Sequence, residues 1–295
     1  LVILRDELTF NVVDMENSKY QERIYNASEI AFFKKTKEAF GGLSNMAAGF
    51  PLEINGIPIL TSEALYQACR FPHLPEVQQS IIKEKSPMTA KMVGKPYKSQ
   101  SREDFESVKV DIMRWCLRVK LAQNFFEFSK LLFSTNNRPI VEDSHKDAFW
   151  GAVRDKKDEN ILRGVNALGR LLMQLREQYL DNPFSWKLVY VEPLKIPNFK
   201  LFGEHIGIVD EREKFVNNIA KQYGLSASYS LYQNNINGAS QKSQVEITVL
   251  REPEDIKPTI KVEKKINGRT SAKKITEPKP KRSKKIENPT LFAQK

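Results

Sequence analysis

The pattern of apolar and polar positions divides the chain into segments before any chemistry enters. Residues 1–30 mix short apolar runs, LVIL and FNVV, with polar residues, and read as an N-terminal arm in the form of a strand pair. FFKKTKEAFGGLSN, residues 32–45, predicts a strand running into a loop, where Gly41-Gly42 permits a sharp turn or a close backbone approach. In FPLEINGIPIL, residues 50–60, apolar residues alternate around Asn55-Gly56, a strong hairpin signal. Helices follow. Thr61 places a hydroxyl cap ahead of the apolar positions Leu65 and Cys69, and Ser86-Pro87 puts proline at a first helical position. Ser101-x-x-Asp104 has capping-box spacing, with Asp where Glu is usual. It predicts a helix to about residue 122, with Val108, Ile112, Trp115 and Val119 on one stripe. Residues 125–133 predict a short, very apolar helix.

The stretch 140–176 changes character midway. Its first half, IVEDSHKDAFWG, holds three acids, a His, a Trp and a Gly, too mixed for a plain structural helix. After Gly164, apolar residues at Val165, Leu168, Leu172 and Leu175 fall near helical spacing, widened by Leu171 and Met173. A polar, aromatic-bearing loop feeding a buried helix suits a site whose reactive groups are held by a rigid element. Beyond it, Asn182-Pro183 ends the helix. Residues 187–194 alternate like a strand, 211–223 predict a helix stopping at Gly224, and 226–233 and 244–250 read as strands. These form a small α/β module or an extension packed on the first domain. From residue 252 onward Pro, Lys, Ser and Thr dominate without apolar period, predicting a disordered tail with a short docking end at LFAQ.

The chain has 295 residues, 40% of them hydrophobic and 28% charged, a soluble globular composition with a polar appendage. Charge changes the picture more. The net +11 is concentrated at the C-terminus: residues 251–295 hold 14 Lys and Arg against 6 Asp and Glu, and the rest hold 33 against 30. The globular part is thus near neutral and does not argue for nucleic acid, whereas the tail has the charge to hold a phosphate backbone by salt-sensitive contacts. Cys69 and Cys116 have neither metal spacing nor a disulfide framework, which points to a reducing, cytoplasmic compartment. No signal peptide is legible, and no run of about 18 apolar residues is present to span a membrane. His73, His145 and His205 show no ligand spacing, so neither metal nor cofactor is assigned.

Four ordered blocks carry a resemblance: FxKTKEAFGGLSN (33–45), TSEALYQACRF (61–71), SPMTAKMVGK (86–95) with FESVKVDIMR (105–114), and IVEDSHKDAFWG with GVNALGRLLMQLRE (140–177). Together they resemble the NADAR family, also called YbiA-like, over about residues 30–180. The resemblance implies a mainly α, compact multi-helical domain with a small β element. Around it lie the arm at 1–30, the α/β extension at 181–251 and the basic tail at 252–295. It also implies cleavage of N-glycosidic bonds, either in ribosylamino intermediates of riboflavin synthesis or in ADP-ribosylated guanine of DNA, opposing DarT-type toxins.

Hydrolysis of an N-glycoside develops positive charge at the anomeric carbon, so a carboxylate beside it and an acid or base for the leaving group are needed. The resemblance carries Glu63 (SE-x-x-YQ, with Gln67 in the same motif) and Asp147 (D-x-x-WG) into those roles. Read alone, Glu63 is a first-turn helix acid, favoured there by the dipole, and Asp147 is equally a turn cap; the resemblance reverses the reading of Glu63. Lys35 matches the branch thought to capture opened ribose through a Schiff base; read alone it is a solvated strand lysine. That match and the basic tail favour ADP-ribosylated DNA as substrate, with a cognate transferase toxin as a second partner. Ser44 and Asn45 are expected to offer donors to ribose or phosphate. Arg70 stands where relatives often carry Lys and keeps the charge. Phe105 stands where relatives often carry Trp and leaves a smaller stacking face. Trp150 and Gly151 read as a wall of the pocket, and Asn166 with Gly169 as a sugar contact or a loop anchor. A module that binds ADP-ribose or a toxin without turnover is the competing class.

Overall fold

The computed structural model describes residues 20–183, 185–222, 226–232 and 244–250. The arm as far as residue 19, the helix stop at Gly224 and the basic tail lie outside them. Strand β1 (Arg23–Asn26) joins the antiparallel sheet β1-β7-β6, with β6 at Val153–Arg154 and β7 at Ile161–Gly164. Strand β2 (Ala31–Phe33) runs parallel to β5 (Ile140–Glu142), which sets Phe33 beside Glu142. The stretch expected to be a loop therefore contains three strands. Each spans only two to four residues, too short to show alternation.

The hairpin forms where Asn55-Gly56 places it, between β3 (Leu52–Ile54) and β4 (Ile57–Ile59), with both turn residues at positive φ (53° and 76°). Helix α1 (Ser62–Ala68) follows, capped by Thr61, whose hydroxyl accepts from the Ala64 N–H at 3.3 Å; all seven of its residues are buried. Helix α2 (Pro75–Ile82) and helix α3 (Pro87–Gly94) pack on α1, and Ser86 caps α3 as expected. Helix α4 (Phe105–Gln123) is the axis of the core: Ile112, Trp115, Cys116 and Leu117 are almost wholly enclosed, and α1, helix α5 (Phe125–Ser134) and helix α6 (Ala167–Asp181) pack around it.

One expected cap is corrected. Ser101 does not cap α4; its hydroxyl donates to the Lys98 carbonyl and accepts from Arg70 Nε, both at 2.6 Å, while Asp104 is drawn into an ion pair with Arg102. A charged partner outcompetes a backbone amide for the aspartate.

The strand expected over 187–194 is also shorter. Residues 186–188 form a 3-10 turn capped by Ser185, and only β8 (Tyr190–Val191) pairs, with β11 (Val209–Asp210). Burial of Leu188 and Val189 in succession explains the change, since a strand would face them oppositely. This segment packs on the same core. Trp115 Nε1 donates to the Glu192 carbonyl at 3.0 Å, Gln78 bridges Ala68 and Lys200 carbonyls, and Phe215 of helix α7 (Arg212–Gln222) meets Phe125 edge-on at 4.7 Å. The remaining strands pair antiparallel: β9 (Lys200–Leu201) with β10 (Glu204–His205), and β12 (Ser226–Tyr232) with β13 (Gln244–Leu250). Among the described residues no helix is long and apolar enough to cross a membrane.

The N-terminus of α6 lies hard against β5. A Cβ at Gly169 would come within 2.1 Å of the Ile140 carbonyl and 2.5 Å of the Asn166 amide. Gly169→Ala is therefore expected to destabilise the fold by about 1–3 kcal/mol through overpacking, read as a lowered midpoint in urea unfolding. An unchanged midpoint would show that β5 can shift away freely.

Candidate active site

A cavity of about 370 Å³ opens between α1, α3, α4 and the 144–150 loop. That is within the size range of small-molecule sites. Four carboxylates line it: Glu63, Glu142 and Asp147, with Glu106 paired to Lys109. Glu63 stands in the first turn of the buried helix α1, and its N–H donates to the Asn45 carbonyl at 3.1 Å. Gln67, one turn on, donates from Nε2 to Glu63 Oε1 at 2.9 Å. Burial pushes the Glu63 carboxyl above its usual range, opposed by the charge of Lys91 and the Gln67 hydrogen bond.

Glu142 was not singled out by its sequence, yet the fold delivers it to the same cavity at the end of β5. Its carboxyl is pushed up to about 7, first by burial, then by the negative charges of Glu63 and Asp147, with Lys91 opposing. The negative charge of Glu63 thus helps to keep the Glu142 carboxyl protonated, after burial itself.

Asp147 lines the cavity while its Oδ1 accepts from the Phe149 and Trp150 amides at 3.0 and 2.9 Å. It therefore shapes the turn that presents Trp150 and also charges the site. Trp150 meets Tyr66 edge-on at 5.6 Å, and Tyr66 meets Phe105 at 6.1 Å, so the aromatic side of the cavity is continuous. The Arg70 guanidinium lies 4.1 Å over the Phe105 ring, and Ser101 holds its Nε. This orients the rest of the guanidinium fork. Lys91, Lys98 and Lys109 add positive charge to the lining, and Lys109 is paired with Glu106. Lys91 and Lys109 lie within the blocks that carry the family resemblance, but their residue type alone did not mark them as site residues.

Ser44 and Asn45 are buried and line the cavity floor. Four residues expected at the site lie elsewhere. Lys35 is exposed and outside the cavity lining; Lys91 is the lysine set beside the carboxylates. Asn166 is fully enclosed behind β5, where its Nδ2 donates to the Ile140 carbonyl at 2.8 Å and its Oδ1 accepts from the Glu142 N–H at 3.3 Å. Gly151 and Gly169 are also behind the strand: a Cβ at Gly151 would come within 2.5 Å of the Glu142 carbonyl. Those three shape the position of Glu142 from the rear, and the close backbone approach leaves no room there for a ligand. Among the described residues, no group of three or more His, Cys, Asp and Glu is placed to hold a metal ion.

Residues 31–180 match the family model of the NADAR domain. The chain is 37% identical over 146 residues to N-glycosidase YbiA of Escherichia coli strain K12, covering 50% of this chain and 86% of that protein. It is 28% identical over 192 residues to riboflavin biosynthesis protein VVA0006 of Vibrio vulnificus, covering 60% of this chain and 49% of that one. A solved NMR structure of the Escherichia coli protein YbiA aligns with a TM-score of 0.45 at 33% identity, covering 53% of this chain and 88% of that structure.

Proposed function

The chain belongs to the NADAR domain family, and on that premise we propose that it is an N-glycosidase that hydrolyses the bond between ADP-ribose and guanine in DNA. The observation that carries the reading is the pair Glu63 and Glu142, enclosed in one cavity with both carboxyls raised by burial. Such a pair holds a proton near neutrality while keeping a negative charge beside it.

In this reading Glu142 holds the proton and hands it to the leaving base nitrogen. Glu63, steadied by Gln67 and faced by Lys91, carries the charge that stabilises the cationic sugar. Water adds to the anomeric carbon as the carbon–nitrogen bond breaks, and its proton returns to the pair. Asp147 sets the Trp150 turn, and the mutually tilted Trp150, Tyr66 and Phe105 rings give an apolar wall against which a base or sugar packs. Arg70, Lys91 and Lys98 meet phosphate, and three cations suit a diphosphate better than a single phosphoryl group. In this reading Lys91, rather than Lys35, is the lysine beside the carboxylates. Removal of ADP-ribose from DNA would make the protein an antitoxin-like repair activity.

A second reading, hydrolysis of a phosphorylated ribosylamino-pyrimidine, is favoured by the relative named for riboflavin biosynthesis and by the exposed position of Lys35. Incubation with guanine-ADP-ribosylated DNA and with the ribosylamino-pyrimidine phosphate at equal concentration, followed by mass spectrometry, separates the two. Faster release of free ADP-ribose is expected. Faster release of pyrimidine selects the second reading, and retention of ADP-ribose without base release identifies a binding module.

A further inference from the structure

Lys120 on α4 is completely buried, yet among the described residues its ammonium reaches no carboxylate. Its Nζ donates to the Gly42 carbonyl at 2.7 Å and the Ser44 carbonyl at 3.0 Å. The Phe50 and Phe128 rings flank it, each with its centroid at 4.6 Å. A buried ammonium satisfied by two carbonyls and two aromatic faces is costly, and an apolar side chain of similar length would be expected there if filling space were its only task. Burial accordingly drives the amine down to about 7.

The two carbonyls belong to the turn that forms the cavity floor. Ser44 lines the cavity, and its neighbour Asn45 anchors α1 twice: the Asn45 carbonyl accepts from the Glu63 N–H at 3.1 Å, and its Oδ1 accepts from the Ser62 hydroxyl at 3.0 Å. A short covalent and hydrogen-bonded path therefore runs from the ammonium through Ser44 and Asn45 to the backbone of Glu63. We propose that Lys120 is a positioning residue of the active site, fixing the 42–45 turn and through it the placement of Glu63. The inference rests on the glycosidase reading only for its kinetic consequence. The structural link stands on the hydrogen bonds.

The test uses the full chain with Lys120→Met, Lys120→Gln and, as a control, Gln123→Ala. Gln123 sits one turn along α4 and bonds both backbone groups of Glu53, away from the cavity. Two readouts are taken: kcat and KM for release of the base, and hydrogen exchange of peptides covering 41–47 and 61–67. Misplacement of a reacting group by about 1 Å can cost about 10²-fold, so Lys120→Met should lower kcat by about that factor with KM changing far less. Exchange should rise in both peptides. Lys120→Gln keeps a shorter donor and should lose less, but still measurably. Gln123→Ala should leave kcat unchanged. Wild-type kcat in folded Lys120→Met, or in Lys120→Gln where the Met variant does not fold, would overturn the proposal, as would unchanged exchange at 61–67. If the unsubstituted protein releases base from neither substrate, the glycosidase reading fails, while exchange still decides the role of Lys120.

Discussion

Glu63→Gln is expected to lower kcat for base release by about 10²–10⁴-fold while the protein stays folded. The substitution preserves the volume of a side chain that is wholly enclosed in α1, and the N–H that binds Asn45 belongs to the backbone and is untouched. Only the charge and the acceptor for Gln67 are altered. A carboxylate acts on the transition state, where the sugar is cationic, far more than on the neutral ground state, so kcat should fall with little change in KM. Burial already holds this carboxyl above its usual range, and removing an ionisable group from such a place does not harm the fold. Single-turnover kinetics with mass-spectrometric detection of the freed base would check this. A Gln variant within threefold of the unsubstituted rate would remove Glu63 from the chemistry.

Glu142→Gln is expected to move activity and stability in opposite directions. The folded-state carboxyl titrates at about 7 against an ordinary value of 4.5. A group whose pKa is raised on folding favours the native state most below the unfolded value, and that contribution is lost as pH rises through the folded one. Above about pH 7 the native protein must hold a second buried negative charge beside Glu63, and the amide variant is relieved of it. The variant should therefore be more stable than the parent at pH 8, by about 2 kcal/mol once solvent screening is allowed for, and the difference should shrink toward pH 5. Lys120, titrating in the opposite sense with the amine driven down to about 7, is common to both proteins and cancels in the comparison. Turnover should fall as for a lost general acid, and the decline in rate above about pH 7 should disappear from the residual activity. Thermal melts at the two pH values give the first result and a pH–rate profile the second. Equal stabilities at both would mean that Glu142 is not buried against Glu63 in solution.

Both predictions concern glutamates that the sequence presents very differently. Glu63 follows a Thr cap and stands in a motif that resembles a known family, so its helix and its candidacy are legible together. Glu142 ends the short run Ile140-Val141-Glu142, with no cap, no spacing and no strand long enough to alternate. Its position depends on the parallel pairing with β2 and on the rear packing by Asn166, Gly151 and Gly169. Those three show the limit of motif reading from the other side. Their place in a recognisable pattern marks them as important, but pattern does not distinguish a group that touches ligand from one that holds up the strand that does.

Local rules along the chain settled what depends on near neighbours. The Thr61 and Ser86 caps, the Asn55-Gly56 turn, the stripe of α4 and the buried face of α6 follow from propensity, capping and periodicity, which act within a few residues. Elsewhere charge and burial overrode the local pattern: Arg102, two residues away, took the Asp104 carboxylate, and burial of Leu188 and Val189 on the core replaced a strand with a turn. The electrostatics of the site belong to this second kind. The raised carboxyls, the flanking Lys91 and the buried Lys120 arise from burial and from charges brought close by chain segments tens of residues apart. Desolvation and Coulomb energy depend on distance in space, and the identity of a residue does not state what will surround it.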